Sequence, residues 1–155
     1  MATNRILVAV DGSTREVDVF DTAVDLAQRY DGTLYVVRAI TVSPEFPAAA
    51  AGTSFDPLPA YLTQDAIAAL RELWKRAPHL RATAPIVVVG QPSRVILDVA
   101  KEFEVDLIIM GSHGYRGWDR LLGTTAGTVA NQADRNVLVV HRPAAGNPGL
   151  PQSIA

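Results

Sequence analysis

The sequence contains no cysteine, which excludes disulfides, thiolate zinc sites and cysteine nucleophiles together. No apolar run approaches the roughly 20 residues of a membrane span. The opening, MATNRILVAVDGS, lacks the basic-then-apolar pattern of a secretory signal. Charge of one sign is also missing: 14 Lys and Arg stand against 16 Asp and Glu, a formal net charge of −2. Unclustered charges of this kind give no footprint for nucleic acid or an anionic membrane. The absences lead to the expectation of a soluble, cytoplasmic protein. Its 155 residues suit one domain with a core of its own.

Apolar runs and stop signals divide the chain into alternating strands and helices. Arg5–Val10 (RILVAV) is a short β-branched run ended by Asp11-Gly12, and it reads as a strand buried on both faces. Ser13 and Glu16 have the spacing of a capping box, and Val17, Phe20, Ala23, Val24 and Ala27 then recur at helical intervals. Asp31-Gly32 stops that helix near Tyr30, and Thr33–Ile40 is a second strand. Thr41–Pro59, rich in Pro, Ala, Gly and Ser and without a period, reads as a long mobile loop.

Leu62, Ile67, Leu70 and Trp74 set a second helix over Ala60–Ala77. Ala84–Val89 is a third strand, placed at a sheet edge by Pro85. A turn at Gly90–Ser93 leads to a helix over Arg94–Phe103, followed by a strand at Leu107–Met110, a helix at Thr124–Ala133 and a strand at Val137–His141. Strands alternating with helical crossovers make a parallel, doubly wound sheet. Ligands of such sheets bind beyond the carboxyl ends of the strands, where the strand order reverses. The turn Asp11–Ser13 and the loop Gly111–Leu122 both fall on that edge.

The loop is the richest chemical signal. LIIMGSHGYRGWDRLLGTT places Gly111, Gly114 and Gly117 after a strand, and Gly123, Thr124 and Thr125 where a helix begins. Exposed backbone N–H groups beside a helix N-terminus hold anions, most often phosphate. Neither GxxxxGK[ST] nor GxGxxG is present, so the signature of a lysine-bearing NTPase loop is lacking.

The opening ILVAVDGS, the turn and helix GQPSRVILDVA, the strand and loop DLIIMGSHG and the closing LLGT…VLVV resemble the universal stress protein family over nearly the whole chain. ATP-binding members carry G-x2-G-x9-G-[S/T]. Here Gly111-x2-Gly114 and Gly123-Thr124 are separated by eight residues rather than nine. Eight residues still span about 25–30 Å when extended, so the shortening re-aims groups such as Tyr115, Arg116 and Arg120 without limiting reach.

The resemblance implies a five-stranded parallel sheet in the order 3-2-1-4-5 with helices on both faces. It implies a nucleotide-binding domain over residues 1–143 and a flexible tail over residues 144–155. It also implies an adenine nucleotide, ATP or else AMP or ADP, with Mg2+ on its phosphates. Ala9, Val10 and Asp11 would line adenine and ribose, with Ala39 or Ile40 against the base. Met110, Gly111, His113 and Gly114 would follow ribose and phosphates, and Gly123, Thr124, Thr125 and Ala126 would close over the phosphate tail. A homodimer paired through Val137–Val140 is implied too, since an uncovered apolar edge strand invites aggregation.

Several residues have a structural alternative. Asp11 suits either a ribose hydroxyl or an Asx turn of its own, and Arg116 and Arg120 suit either phosphates or solvent. His113 is better suited to a backbone role than to catalysis, and Trp118 to anchoring the loop. His79 and His141 are read as structural. No carboxylate pair, metal cluster or Ser-His-Asp order stands out. The functional expectation is an ATP-binding regulatory protein of the stress response with no or very slow catalysis. The alternatives are a slow ATPase or self-phosphorylating protein, and a dimeric scaffold without nucleotide. A phospho-receiver domain would want an acidic cluster and a lysine near the sheet edge, where the sequence offers Asp11 alone.

Overall fold

A computed structural model describes residues 5–41, 58–81, 83–112 and 124–141. Among the described residues nine elements follow in alternation: β1 (Arg5–Ala9), α1 (Glu16–Arg29), β2 (Thr33–Ile40), α2 (Leu58–Trp74), β3 (Ile86–Val89), α3 (Pro92–Glu102), β4 (Leu107–Gly111), α4 (Thr124–Gln132) and β5 (Asn136–Val140). The strands form one parallel sheet in the order β3-β2-β1-β4-β5, the order expected from the sequence. The long loop lies outside the described residues from position 42 to 57, as does the tail from 144 onward.

The sheet order and the right-handed crossover rule fix which helix covers which face. The chain steps from β1 through β2 to β3 in one direction, then returns to β4 and β5 on the far side of β1. Helices of the first two steps must therefore share one face, and those of the last two the other. The core divides accordingly. Phe20 and Ala23 of α1 and Leu70 and Trp74 of α2 bury against Ile6, Val8 and Val36. Val95 and Val99 of α3 and Ala126 and Val129 of α4 bury against Leu7, Val37 and Ile108. Each large side chain removed from water contributes about 1.5–3 kcal/mol before entropy is counted. Phe20 meets Trp74 edge-on at 5.7 Å and 87°, which locks α1 to α2.

Helix ends differ in detail from the sequence expectation. Asp31, not Gly32, takes the left-handed conformation after α1, with φ 48°. The Gly32 N–H reaches Ala27 O at 2.8 Å and the Asp31 N–H reaches Gln28 O at 3.3 Å, the paired bonds of a Schellman stop. The same motif ends α3, with Glu104 at φ 48° and Val105 N–H on Ala100 O at 3.0 Å. α3 begins two residues earlier than its apolar pattern indicated, because Pro92 at the first helical position supplies the required φ.

Candidate functional site

The direction of the chain reverses between β1 and β4, and there a cavity of about 410 Å³ opens at the carboxyl edge of the sheet. Its size is in the range of small-molecule sites. The floor is made by Ala9, Val37, Ala39 and Met110 at strand ends, all facing the α3/α4 side or ending the central strands. One wall is the β1–α1 turn with Asp18 and Val19 of α1. The opposite wall is Pro92 and Ile96 of α3 with Thr125 and Ala126 of α4. The strand ladders continue past the strand ends to the rim: Val10 N–H bonds Val37 O and Ser112 N–H bonds Val140 O, both at 3.0 Å.

The β1–α1 turn is held by its own polar groups. Asp11 Oδ1 accepts the Ser13 N–H at 2.9 Å, forming the Asx turn that was one of its two readings. Glu16 Oε2 accepts the Gly12 N–H at 2.9 Å, and Ser13 Oγ accepts the Arg15 N–H at 3.3 Å. The expected capping box between Ser13 and Glu16 is not what forms. Arg15 is the N-cap residue and makes no side-chain cap bond, so Glu16 begins the helix and reaches back one residue further, to Gly12. Gly12 itself has φ 79°, where a side chain is strained.

The two other helix N-termini at the cavity lack such carboxylates. α3 opens from Gln91 without a side-chain cap bond, and its first turn has no acidic residue. The first turn of α4 has none either. Thr125 is half-buried and Ala126 is buried at the cavity. β4 and α1 approach closely at the cavity floor: a Cβ on Gly111 would lie 3.2 Å from Val19 Cγ2.

Of the residues singled out from the sequence, Ala9, Val10, Asp11, Ala39, Met110, Gly111, Thr125 and Ala126 all line this cavity. Ile40 does not, because strand alternation turns it to the face that carries Leu34 and Val36. Thr124 is exposed and outside the lining, its carbonyl accepting the Thr128 hydroxyl at 2.8 Å. His113, Gly114, Arg116 and Gly123, with Arg120 and Trp118, lie outside the described residues.

The sequence reading missed Glu16 and Asp18, which join Asp11 at the cavity. The sequence spacing of Glu16 signals a helix cap and nothing more, and Asp18 carries no local signal. It also missed Ile96 and Val19, whose apolar character indicates burial without saying what they face. Among the described lining residues the titratable groups are three carboxylates and the Arg15 guanidinium, with no histidine or lysine. Among the described residues no group of three or more His, Cys, Asp or Glu is placed to hold a metal ion, and no helix is long and apolar enough to cross a membrane. The site is a strand-end crevice with an apolar floor and carboxylates along one wall.

The sequence matches the Universal stress protein family over residues 2–141. Universal stress protein A homolog 1 of Coxiella burnetii is 33% identical over 147 residues, covering 90% of this chain and 97% of that protein. A universal stress protein solved in complex with cAMP is 26% identical, covers 91% of this chain and 99% of its own, and superposes with a TM-score of 0.69. The solved structure of MJ0577, from Methanocaldococcus jannaschii, has a TM-score of 0.76 at 24% identity, covers 92% of this chain and 99% of its own, and shows the shared fold.

Proposed function

The chain belongs to the universal stress protein family, and from that premise we propose that it is a regulatory protein of the stress response whose cavity between β1 and β4 binds an adenine nucleotide, with ATP, ADP and AMP as candidates. The observation that carries this reading is the cavity at the strand-order reversal, lined by residues of both the Asp11 turn and the start of α4. A relative solved with cAMP supports it. Adenine lies over Ala9 and Ala39, ribose near Asp11 and Met110, and phosphate at Thr125 and Ala126, where helix N–H groups favour an anion. His113, Gly114, Arg116 and Gly123 are assigned to the phosphates by the sequence resemblance alone, and Mg2+ accompanies a polyphosphate. The protein works in the cytoplasm through the bound state rather than through rapid turnover.

The edge strand β5 supports a homodimer in this reading. Among the described residues it is paired on one side only, by β4, and its Leu138 is 36% exposed, which leaves an apolar ladder open to a second copy.

Calorimetric titration tests the nucleotide assignment, comparing the native protein with Ala39→Phe, which fills the cavity floor. Saturable heat with ATP or AMP that disappears in a folded Ala39→Phe variant agrees with the reading. Equal binding by both proteins would place the nucleotide elsewhere.

A further inference from the structure

Residues of α1, α3 and α4 line the cavity, and α4 is the helix its own sequence supports least. It has 9 residues where α3 has 11 and α1 has 14, and isolated helices of that length are marginal in water. Its sequence, TTAGTVANQ, holds three threonines, a valine, an asparagine and a glycine, all of which favour a helix less than alanine does. No acidic residue stands in its first turn and no basic residue in its last, so no charged side chain complements the helix dipole there. The Thr128 hydroxyl donates back to the Thr124 carbonyl at 2.8 Å, a bond that slightly destabilises a helix.

Packing does not make up the difference. α3 buries Ser93, Val95, Ile96, Val99 and Ala100, whereas α4 buries Ala126 and Val129, so less apolar area holds α4 in place. Gly127 sharpens the contrast. Among the described residues a Cβ at position 127 would meet nothing within 4 Å. No close approach there calls for glycine, and its entropic cost in mid-helix goes uncompensated. Thr125 and Ala126 nevertheless form part of the cavity wall. A ligand seated against them needs that first turn to be formed, and its affinity falls with the fraction of molecules in which the turn is open.

We infer that α4 is an order–disorder element, formed in only part of the unliganded population and completed by the nucleotide that its first turn contacts. This inference rests on the nucleotide reading above and names the regulation of that site. Because α4 packs against α3 and the edge strand β5, its ordering carries occupancy of the cavity to the surface beside β5, where Ala130, Asn131 and Gln132 are exposed.

The test is hydrogen–deuterium exchange of the full chain, read by mass spectrometry with and without AMP or ATP, alongside calorimetric affinities. Without ligand, the α4 amides are expected to be about tenfold or more less protected than those of α3. Saturating nucleotide slows α4 by a similar factor and α3 by less. Gly127→Ala and Ala130→Gly change helix propensity at positions that do not line the cavity. Gly127→Ala slows exchange of unliganded α4 by about fivefold and tightens nucleotide binding by about twofold or more, and Ala130→Gly does the reverse. Three results would each overturn the inference and leave the nucleotide reading standing: unliganded α4 as protected as α3, no slowing of α4 by bound nucleotide, or affinities that ignore both substitutions. Absence of saturable binding by AMP and ATP would instead remove the nucleotide reading, and this inference with it.

Discussion

The Arg38 guanidinium lies against the α-carbon of Gly12, so that a Cβ at position 12 would sit 2.2 Å from Nη2 and 2.7 Å from Cζ. Two strand ends are thereby brought together beneath the turn that carries Asp11. The guanidinium is the far end of a flexible side chain and can swing aside, whereas the φ of 79° at Gly12 cannot change without moving the turn. Gly12→Ala is therefore expected to cost about 1–2 kcal/mol by urea denaturation. The cost persists in an Arg38→Ala background, and Gly12→Asn costs less, because Asn tolerates left-handed backbone. Full rescue by Arg38→Ala would show that the contact, not the backbone, sets the requirement for glycine.

Glycine is absent where the backbone favours it after α3. Glu104 holds φ 48° in the Schellman stop, and its ion pair with Arg5, at 3.2 Å, has an 81% exposed carboxylate. An exposed pair of this kind contributes little. Glu104→Gly removes the left-handed penalty and loses some chain entropy, for a net gain of about 0.5–1 kcal/mol. Thermal unfolding should show a higher midpoint; a lower one would mean that the Arg5 pair outweighs backbone strain.

Arg135 ties β5 to the end of α3. Its Nη1 donates to Ala100 O at 2.5 Å and Val105 O at 3.1 Å, and its side chain is only 16% exposed. Arg135→Ala removes this donor from Val105 O and leaves Ala100 O with the Val105 N–H alone, and should cost about 1–2 kcal/mol. Arg135→Lys recovers part of the loss. The Arg135 hydrogen bond also holds the exposed Asp134 carboxyl below its usual value, with smaller contributions from charge. A lowered folded pKa means that this contribution is present above the unfolded carboxylate range and is lost as pH falls through the folded value. Asp134→Asn should therefore flatten the acid limb of the stability profile, and an unchanged limb would contradict the pairing.

The proposed dimer edge has its own test. Leu138→Lys places a charge at an exposed side-chain position of the edge strand β5 and should convert a micromolar dimer to monomer in sedimentation, without loss of helix signal. A native protein that sediments as a monomer at the same concentration would contradict pairing through β5.

The sheet was legible because its central strands are continuous apolar runs. RILVA and LIIMG are buried along most of their length, and the rules of crossover hand then determine the faces. Gly111 and Asp11 were legible as edge residues because small and turn-forming types follow those runs directly. Glu16 and Asp18 were not, since their approach to the cavity depends on how α1 packs across the sheet and on Gly12 accepting an unusual φ. Ile40 and Ala39 were indistinguishable by composition; only strand alternation separates the residue at the cavity from its neighbour on the other face. The one-residue shortening between Gly114 and Gly123 falls outside the described residues, and its consequence is read in affinity rather than in geometry.

The central claim, an adenine nucleotide held between β1 and β4, is tested most directly by denaturing the purified protein and identifying what it releases by mass spectrometry, followed by titration of the emptied protein. The account predicts an adenine nucleotide in the released fraction or saturable binding when it is returned. No released nucleotide and no heat with AMP or ATP at millimolar concentration would contradict it.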